Sequence, residues 1–271
     1  VHVHLNAIKY AGLAVKKTKV KKCVYTVHNI AEKDASGFSR KLNAIFFKKK
    51  WVQPVALSET VKESVSRLYE IELESIPSVY NGIDLEKCRV KGNYKLGDPI
   101  KLIHIGRFFE QKNHKGMLEI FAKLKQSYPN ICLQLVGDGE LKSEMEAYAE
   151  ELGIKDSVEF MGAKANVHEF LSEADIFILP SIYEGMPITL IEAMGSGMPI
   201  VATAVGGVPD MLSHNESAML VKCDTDSIYD ACVELLESEE KRAALGKAAL
   251  GRSERFSSKY MAEKYCEIYN S

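Results

Sequence analysis

Two carboxylates frame the segment with the clearest chemical content, Pro180–Thr203, PSIYEGMPITLIEAMGSGMPIVAT. Glu184 falls in a glycine-containing loop and Glu192 on the helix that follows, with seven residues between them. Pro187 suits a first helical position, because its missing N–H costs nothing there and its φ is already helical. A helix that starts here and ends near Gly195 leaves the N–H groups of Ile188, Thr189 and Leu190 free, and such a terminus attracts anions. Thr189 and Glu192, three residues apart, share a face. A phosphate at the helix start would have Glu192 one turn (~5.4 Å) along the axis, within reach of a ribose. Glu184 stays in the loop, free to meet whatever hangs from the other side of the phosphate. The plainer alternative is a tight strand-to-helix turn carrying a solvated and a helical glutamate.

Such groups need a scaffold that gathers loop ends, and the rest of the chain reads as one. Val1–Leu5 reads as a strand, followed by a helix near Ile8–Lys17, strand Cys23–Val27, a helix near Arg40–Lys49 and strand Val52–Leu57. A helix near Thr60–Tyr69, started by Ser58 or Glu59, leads to a strand at Ser78–Tyr80. The polar stretch Asp84–Pro99 reads as a linker. A second series runs through strand Lys101–Ile105, a helix at His114–Lys125 capped by Asn113, strand Cys132–Val136, helix Glu140–Leu152, strand Val158–Met161, helix Val167–Ser172 and strand Ile176–Leu179. Strand Pro199–Thr203, a short helix at Val208–Leu212 and strand Ala218–Val221 follow, and then helices at Ser227–Leu236, Glu239–Arg255 and Lys259–Tyr269. Alternation of this kind predicts an α/β protein with two doubly wound parallel sheets. The expected units are residues 1–84, a linker at 85–99, a second unit at 100–255, and a final helix at 256–271 that packs back on the first unit.

In open parallel sheets ligands bind beyond the carboxyl ends of the strands. The loop after Lys101–Ile105 brings Arg107 and Lys112 to the same rim as Glu184. Arginine forks onto phosphate oxygens and lysine adds a point charge, so with the helix start the two would hold a diphosphate. Two surface cations near a helix start are the alternative, although their sign is unfavourable for the helix dipole. Gly137-Asp138-Gly139 reads first as a structural turn. Gly206-Gly207 suits either a turn or close approach to a phosphate or sugar.

Composition bounds the rest. The 271 residues suffice for one large or two ordinary domains, and 46% hydrophobic with 27% charged residues is ordinary for a soluble globular protein. A formal charge of −2 argues against nucleic acid as a partner. The six widely spaced cysteines form no CxxC and read as reduced, buried thiols. No apolar run approaches the ~20 residues of a spanning helix, and no signal peptide is visible. Lys16, Lys17, Lys19, Lys21 and Lys22, with Lys48, Lys49 and Lys50, read as solvated faces, a membrane surface being the sharper alternative. His2 and His4 share a strand face, but no third ligand accompanies them, so zinc is not expected.

Taken in order, Gly106-Arg107 with Lys112, Gly137-Asp138-Gly139, Glu184-Gly185-Met186-Pro187, Glu192-Ala193-Met194, Gly197 with Pro199, and Gly206-Gly207 resemble the donor-binding half of glycosyltransferase family 4. HIGRFFEQKNH is similar to exopolysaccharide and capsule enzymes of that family. The resemblance runs from about Val1 to Tyr269 and implies the GT-B architecture, two Rossmann-like domains, and sugar transfer with retention from a UDP-sugar to a polysaccharide or lipid-linked saccharide, at the cytoplasmic side of a membrane. It further implies that Arg107 and Lys112 meet the diphosphate, that Glu192 takes the ribose hydroxyls and that Glu184 contacts the donor sugar. Gly106 and Gly185–Leu190 (Gly185, Met186, Pro187, Ile188, Thr189, Leu190) would surround sugar and phosphates, the backbone near Met161–Lys164 the base, and His28 of TVHN would face the sugar from the first domain. A lone histidine satisfied at a strand end is the alternative for His28. No cofactor or metal is expected, and Asp224-Thr225-Asp226, superficially the DxD of the other glycosyltransferase fold, reads as a helix cap. The family's first strand and glycine-rich loop have no counterpart before Val1, so an incomplete first domain, binding donor but transferring poorly, is expected. A GT-B type UDP-N-acetylglucosamine epimerase and a nucleotide-sugar-binding module without turnover stay open as alternatives.

Overall fold

A computed structural model describes residues 1–18 and 20–271, the side chains of Asn6, Leu13 and Lys16 excepted. Lys19 and the side chain of Lys16, two members of the first lysine cluster, lie outside the described residues. Two separate parallel sheets form. The first joins β1 (His2–His4), β2 (Val24–Val27) and β3 (Gln53–Ala56) in that order. The second joins β4 (Ile100–Ile105), β5 (Ile131–Val136), β6 (Val158–Gly162), β7 (Ile176–Leu179), β8 (Ile200–Thr203) and β9 (Met219–Val221) in the order β6-β5-β4-β7-β8-β9.

Strands buried on both faces need apolar residues at successive positions, and alternate side chains go to opposite layers. Leu102, Ile176, Ile178 and Val201 face a layer with Met117, Leu118 and Phe121 of helix His114–Ser127 and Ile228, Ala231 and Leu235 of helix Thr225–Glu237. Their neighbours Ile103, Phe177, Leu179 and Ala202 face Leu190, Ile191 and Met194 of helix Ile188–Gly195, with Phe256. This double burial fixes the second sheet in register. In the first unit, Tyr25, Val27 and Ala56 pack with Phe46, Phe47, Val61 and Val65.

Side-chain caps set several helix starts. Ser58, rather than Glu59, caps helix Glu59–Tyr69 by accepting from the Val61 N–H at 3.1 Å. Asn113 accepts from the Gly116 N–H at 3.3 Å, and Asp224 accepts from the Ser227 N–H at 2.8 Å. Asp224 thus sits where the capping reading put it.

The structure departs from expectation in places. The strand expected at Ser78–Tyr80 is one bridge between Ser78 and Ala56, made by two bonds, Ala56 N–H to the Pro77 carbonyl at 3.0 Å and Val79 N–H to the Ala56 carbonyl at 2.9 Å. Residues 85–99 lie along the second unit: Lys91 donates to the Ala174 carbonyl at 2.6 Å, Tyr94 OH to the Gly197 carbonyl at 3.1 Å, and Arg242 Nε to the Tyr94 carbonyl at 2.9 Å. Cys23, Cys132 and Cys232 are buried, but Cys223 and Cys266 are exposed, correcting the expectation of buried thiols throughout. Among the described residues no helix is long and apolar enough to cross a membrane.

The chain passes between the units twice, and the passages are paired. Ile83 N–H donates to the Phe256 carbonyl at 3.0 Å, and Ser258 N–H to the Ile83 carbonyl at 2.7 Å. The final helix, Ser258–Asn270, then lies on the first sheet, where Tyr265 packs with Val24, Val55 and Val79.

Candidate active site

From β4 the chain moves to β5 and β6 on one side, then returns to β7 on the other. The loops after β4 and β7 therefore meet at the carboxyl edge, the switch point where open α/β sheets bind ligands. Lys112 ends a short 3-10 turn, Glu110–Lys112, just before the cap Asn113. Its ammonium lies 2.6 Å from Glu184 Oε1, and Gln111 Nε2 donates to Glu184 Oε2 at 3.2 Å and to the Tyr183 carbonyl at 2.9 Å. The Ile182 N–H closes the loop pair on the Gln111 carbonyl at 2.9 Å.

Glu184 is thus paired rather than free, as the sequence reading had it. Its side chain is 5% exposed and that of Lys112 15%, and a carboxylate so buried requires a cation and hydrogen bonds. Lysine has three donors, so two remain after Glu184 for another anion. Gly106 lies beside the lysine stem: a Cβ there would be 3.4 Å from Lys112 Cδ and 2.6 Å from His104 Nε2. Arg107, on the same loop, is exposed, its guanidinium 4.1 Å from the Phe109 ring centroid.

Contrary to expectation, Pro187 is not the first helical residue but precedes the helix in an extended conformation, φ −72° and ψ 120°, and the helix begins at Ile188. Leu190 N–H is consumed by the Pro187 carbonyl at 3.2 Å, so two of the three expected donors, those of Ile188 and Thr189, have no backbone acceptor among the described residues. Thr189 Oγ1 is also buried without a partner there. Glu192, half-buried one turn on, has no hydrogen-bond partner among the described residues, and burial pushes its carboxyl up to about 7. Burial, and then the Glu192 and Asp84 carboxylates, raise the Cys88 thiol to about 11.

The first unit forms the opposite wall. Gly185 lies against the His28 carbonyl, where a Cβ would come within 2.1 Å of the oxygen. Asn81 Nδ2 donates to the Met186 carbonyl at 3.1 Å, and Thr60 Oγ1 to the Gly206 carbonyl at 3.1 Å. Gly206-Gly207 is a turn that supports the glutamate loop: Gly207 N–H donates to the Gly185 carbonyl at 3.0 Å, and Gly206 has φ +54°. Gly137-Asp138-Gly139 packs on the Gly106–Phe108 backbone, with Phe108 N–H donating to the Asp138 carbonyl at 3.0 Å. Met161 is half-buried at the end of β6, against the apolar layer that holds Ile105 and Leu190.

A family model described as glycosyl transferases group 1 matches residues 89–252, and one described as glycosyltransferase family 4 matches residues 1–87. The chain belongs to the group 1 glycosyltransferases. N-acetyl-alpha-D-glucosaminyl L-malate synthase of Bacillus anthracis is 32% identical over 205 residues, 72% of this chain and 54% of that protein. The UDP-Gal:alpha-D-GlcNAc-diphosphoundecaprenol alpha-1,3-galactosyltransferase of Escherichia coli is 27% identical over 257 residues, 88% of this chain and 66% of that one. The chain spans about half the length of the first of these curated relatives. The crystal structure of Anabaena HepE in complex with UDP and glucose is 18% identical with a TM-score of 0.89, covering 100% of this chain and 77% of that one. The fold of this group 1 glycosyltransferase is accordingly GT-B, as expected.

Several residues of the site escaped the sequence reading. Gln111, adjacent to Lys112, offered no sign that it would reach Glu184. His104 and His114 lie beneath the loop after β4, ring centroids 5.0 Å apart, with His114 stacked on Phe108 at 4.0 Å. His104 Nδ1 meets the Ile178 carbonyl at 2.8 Å; its Nε2 and both His114 nitrogens are without partners among the described residues. Burial, then the Lys112 charge, lowers His114 to about 4. The folded value lies below the unfolded 6.5, so the unfolded chain binds the proton first and stability is lost as pH falls from 6.5 toward 4. Between pH 7.5 and 4.5 this group 1 chain should lose about 2–3 kcal/mol more than its His114→Phe variant. Guanidinium denaturation at both pH values measures the difference, and equal losses would refute the assignment.

Proposed function

We propose that this chain binds a UDP-sugar between its two units and serves transfer of the sugar, with retention, to a saccharide or lipid-linked saccharide. One observation carries the reading. At the switch point a buried, hydrogen-bonded Lys112–Glu184 pair lies on the rim that also carries a helix start with a threonine hydroxyl unpartnered among the described residues. Anionic ligands suit that combination, and a relative named for UDP-Gal supports the choice of donor.

Departure of UDP places charge on its phosphates. Lys112, Arg107 and the N–H groups of Ile188 and Thr189 are fixed donors for that charge, a preorganised electrostatic role that requires no metal. Glu192 would take the ribose hydroxyls, and the backbone near Met161 the base. Glu184 would meet the sugar from one wall and His28 from the other, around the Gly185–Pro187 loop. Both Glu184 oxygens are engaged by Lys112 and Gln111, which suits an orienting carboxylate better than a nucleophile. The acceptor then attacks on the face that UDP vacates.

The ribose assignment has a pH signature. Hydroxyls donate to an ionised carboxylate, so a Glu192 that titrates near 7 must lose its proton for tight binding. UDP affinity should fall about tenfold between pH 8 and pH 6 beyond any fall in Glu192→Gln, whose own curve carries the titration of UDP itself. Calorimetric titration of both proteins provides the comparison. Parallel curves would remove Glu192 from the ribose.

A further inference from the structure

His28 is held at every polar atom but two. Its main-chain N–H donates to Asp34 Oδ1 at 2.9 Å, and Asp34 Oδ2 accepts from Tyr25 OH at 2.7 Å, which anchors the turn after β2. Its carbonyl abuts Gly185. Its Nε2 lies 2.9 Å from Nδ1 of His4, at the end of the neighbouring strand β1. Among the described residues, only Nδ1 of the ring and a lone pair of the carbonyl remain for a ligand.

His4 is free to serve His28 because its own neighbour is committed elsewhere. The His2 ring lies 4.2 Å from the His4 ring, centroid to centroid, but its Nε2 meets Thr26 Oγ1 at 2.7 Å and its Nδ1 meets Tyr269 OH at 2.7 Å. Burial lowers His2 to about 4 and also depresses His28, so both rings are neutral near pH 7. If the His28–His4 contact joins two neutral rings, one nitrogen donates and the other accepts. Neutral imidazole favours the proton on Nε2, and the contact here runs from Nε2 of His28 to Nδ1 of His4. Both rings keep the favoured tautomer only if His28 is the donor.

We infer that His4 is a positioning residue: by accepting the His28 Nε2–H it fixes that ring's orientation and tautomer and leaves Nδ1 as the acceptor for a hydroxyl of the donor sugar. The hydrogen bond made by one ring nitrogen decides which nitrogen carries the proton, so His4 acts on the sugar through His28 without touching it. The inference rests on the donor-site reading above, and its test separates the two.

Long-range proton–nitrogen NMR of the chain with labelled histidine reads the tautomer directly. His28 should be protonated at Nε2 alone in the native chain. It should become a mixture in His4→Phe and return to the single form in His4→Asn, whose amide oxygen takes the place of Nδ1. His4→Gln, with its amide at the Nε2 position, should fail to restore it. Calorimetry with UDP, UDP-glucose and UDP-N-acetylglucosamine supplies the functional arm. The better UDP-sugar's advantage over UDP should drop three- to tenfold in His4→Phe and recover in His4→Asn, with UDP itself unchanged. An unaltered His28 tautomer in His4→Phe, or an unaltered advantage, overturns the inference. A native chain that binds no UDP overturns the donor-site reading instead, and the tautomer then decides the role of His4 alone.

Discussion

Lys112→Ala should destabilise the chain by about 3–5 kcal/mol, the cost of leaving a buried carboxylate without its cation. It should also weaken UDP binding by about 1.5–3 kcal/mol, the range for a hydrogen bond to a charged group. The two losses have different origins and can be separated. Glu184 is 5% exposed and its ammonium partner is 2.6 Å away, so the stability loss belongs to the uncompensated charge. Replacing both partners, Lys112→Met with Glu184→Leu, should recover most of the stability, since apolar pairs of similar volume often substitute for buried ions. UDP binding should stay lost in the double variant, because the phosphate still lacks its cation. Guanidinium denaturation reads the first effect and calorimetry the second, with EDTA expected to leave the native affinity unchanged. Unchanged UDP affinity in Lys112→Ala would remove the lysine from the phosphate site.

Gly206→Ala should cost about 2–5 kcal/mol, combining a side chain at positive φ with overpacking. The added Cβ would be 1.7 Å from the Glu184 carbonyl oxygen, a contact with backbone that no rotamer change relieves. The glutamate loop must shift, so UDP-sugar affinity should fall tenfold or more. Gly251, within helix Glu239–Ser253 with open space at its Cβ position, is the control. Gly251→Ala should stabilise by about 0.5–1 kcal/mol through the unfolded chain's lost freedom and leave binding alone. Matched thermal and calorimetric measurements on the pair test this, and equal behaviour of the two variants would contradict it.

The architecture was legible because burial on both faces writes itself into the sequence. Ile176–Leu179 could be read as a parallel strand from four apolar residues, and Asn113 as a cap from its place before an amphipathic run. Glu184 and Glu192 stood out for a similar reason, since a loop, Pro187 and a helix fix their spacing locally. What escaped depends on register between distant elements. Gln111 reaches Glu184 across 73 positions and His4 reaches His28 across 24. The freedom first assigned to Glu184 and to the Leu190 N–H had a common flaw: a polar group with no visible local partner had found one in the fold. Ser78 shows the reverse, a strand-like sequence that, among the described residues, pairs through a single bridge.

The pairing of Ile83 with Ser257 and the seating of Tyr265 on β2 also order events on the ribosome. Thr26 Oγ1 lies 2.7 Å from Tyr265 OH, yet the two are 239 positions of synthesis apart. At ordinary elongation speeds that interval is on the order of 10–50 s. During it, the first sheet has its helices but not the cover that its outer face will receive. Val24 and Val55, fully buried in the folded chain, stay open to other chains until helix Ser258–Asn270 emerges. A nascent chain of this design therefore has a long window of chaperone demand, and that window closes only when helix Ser258–Asn270 has been made.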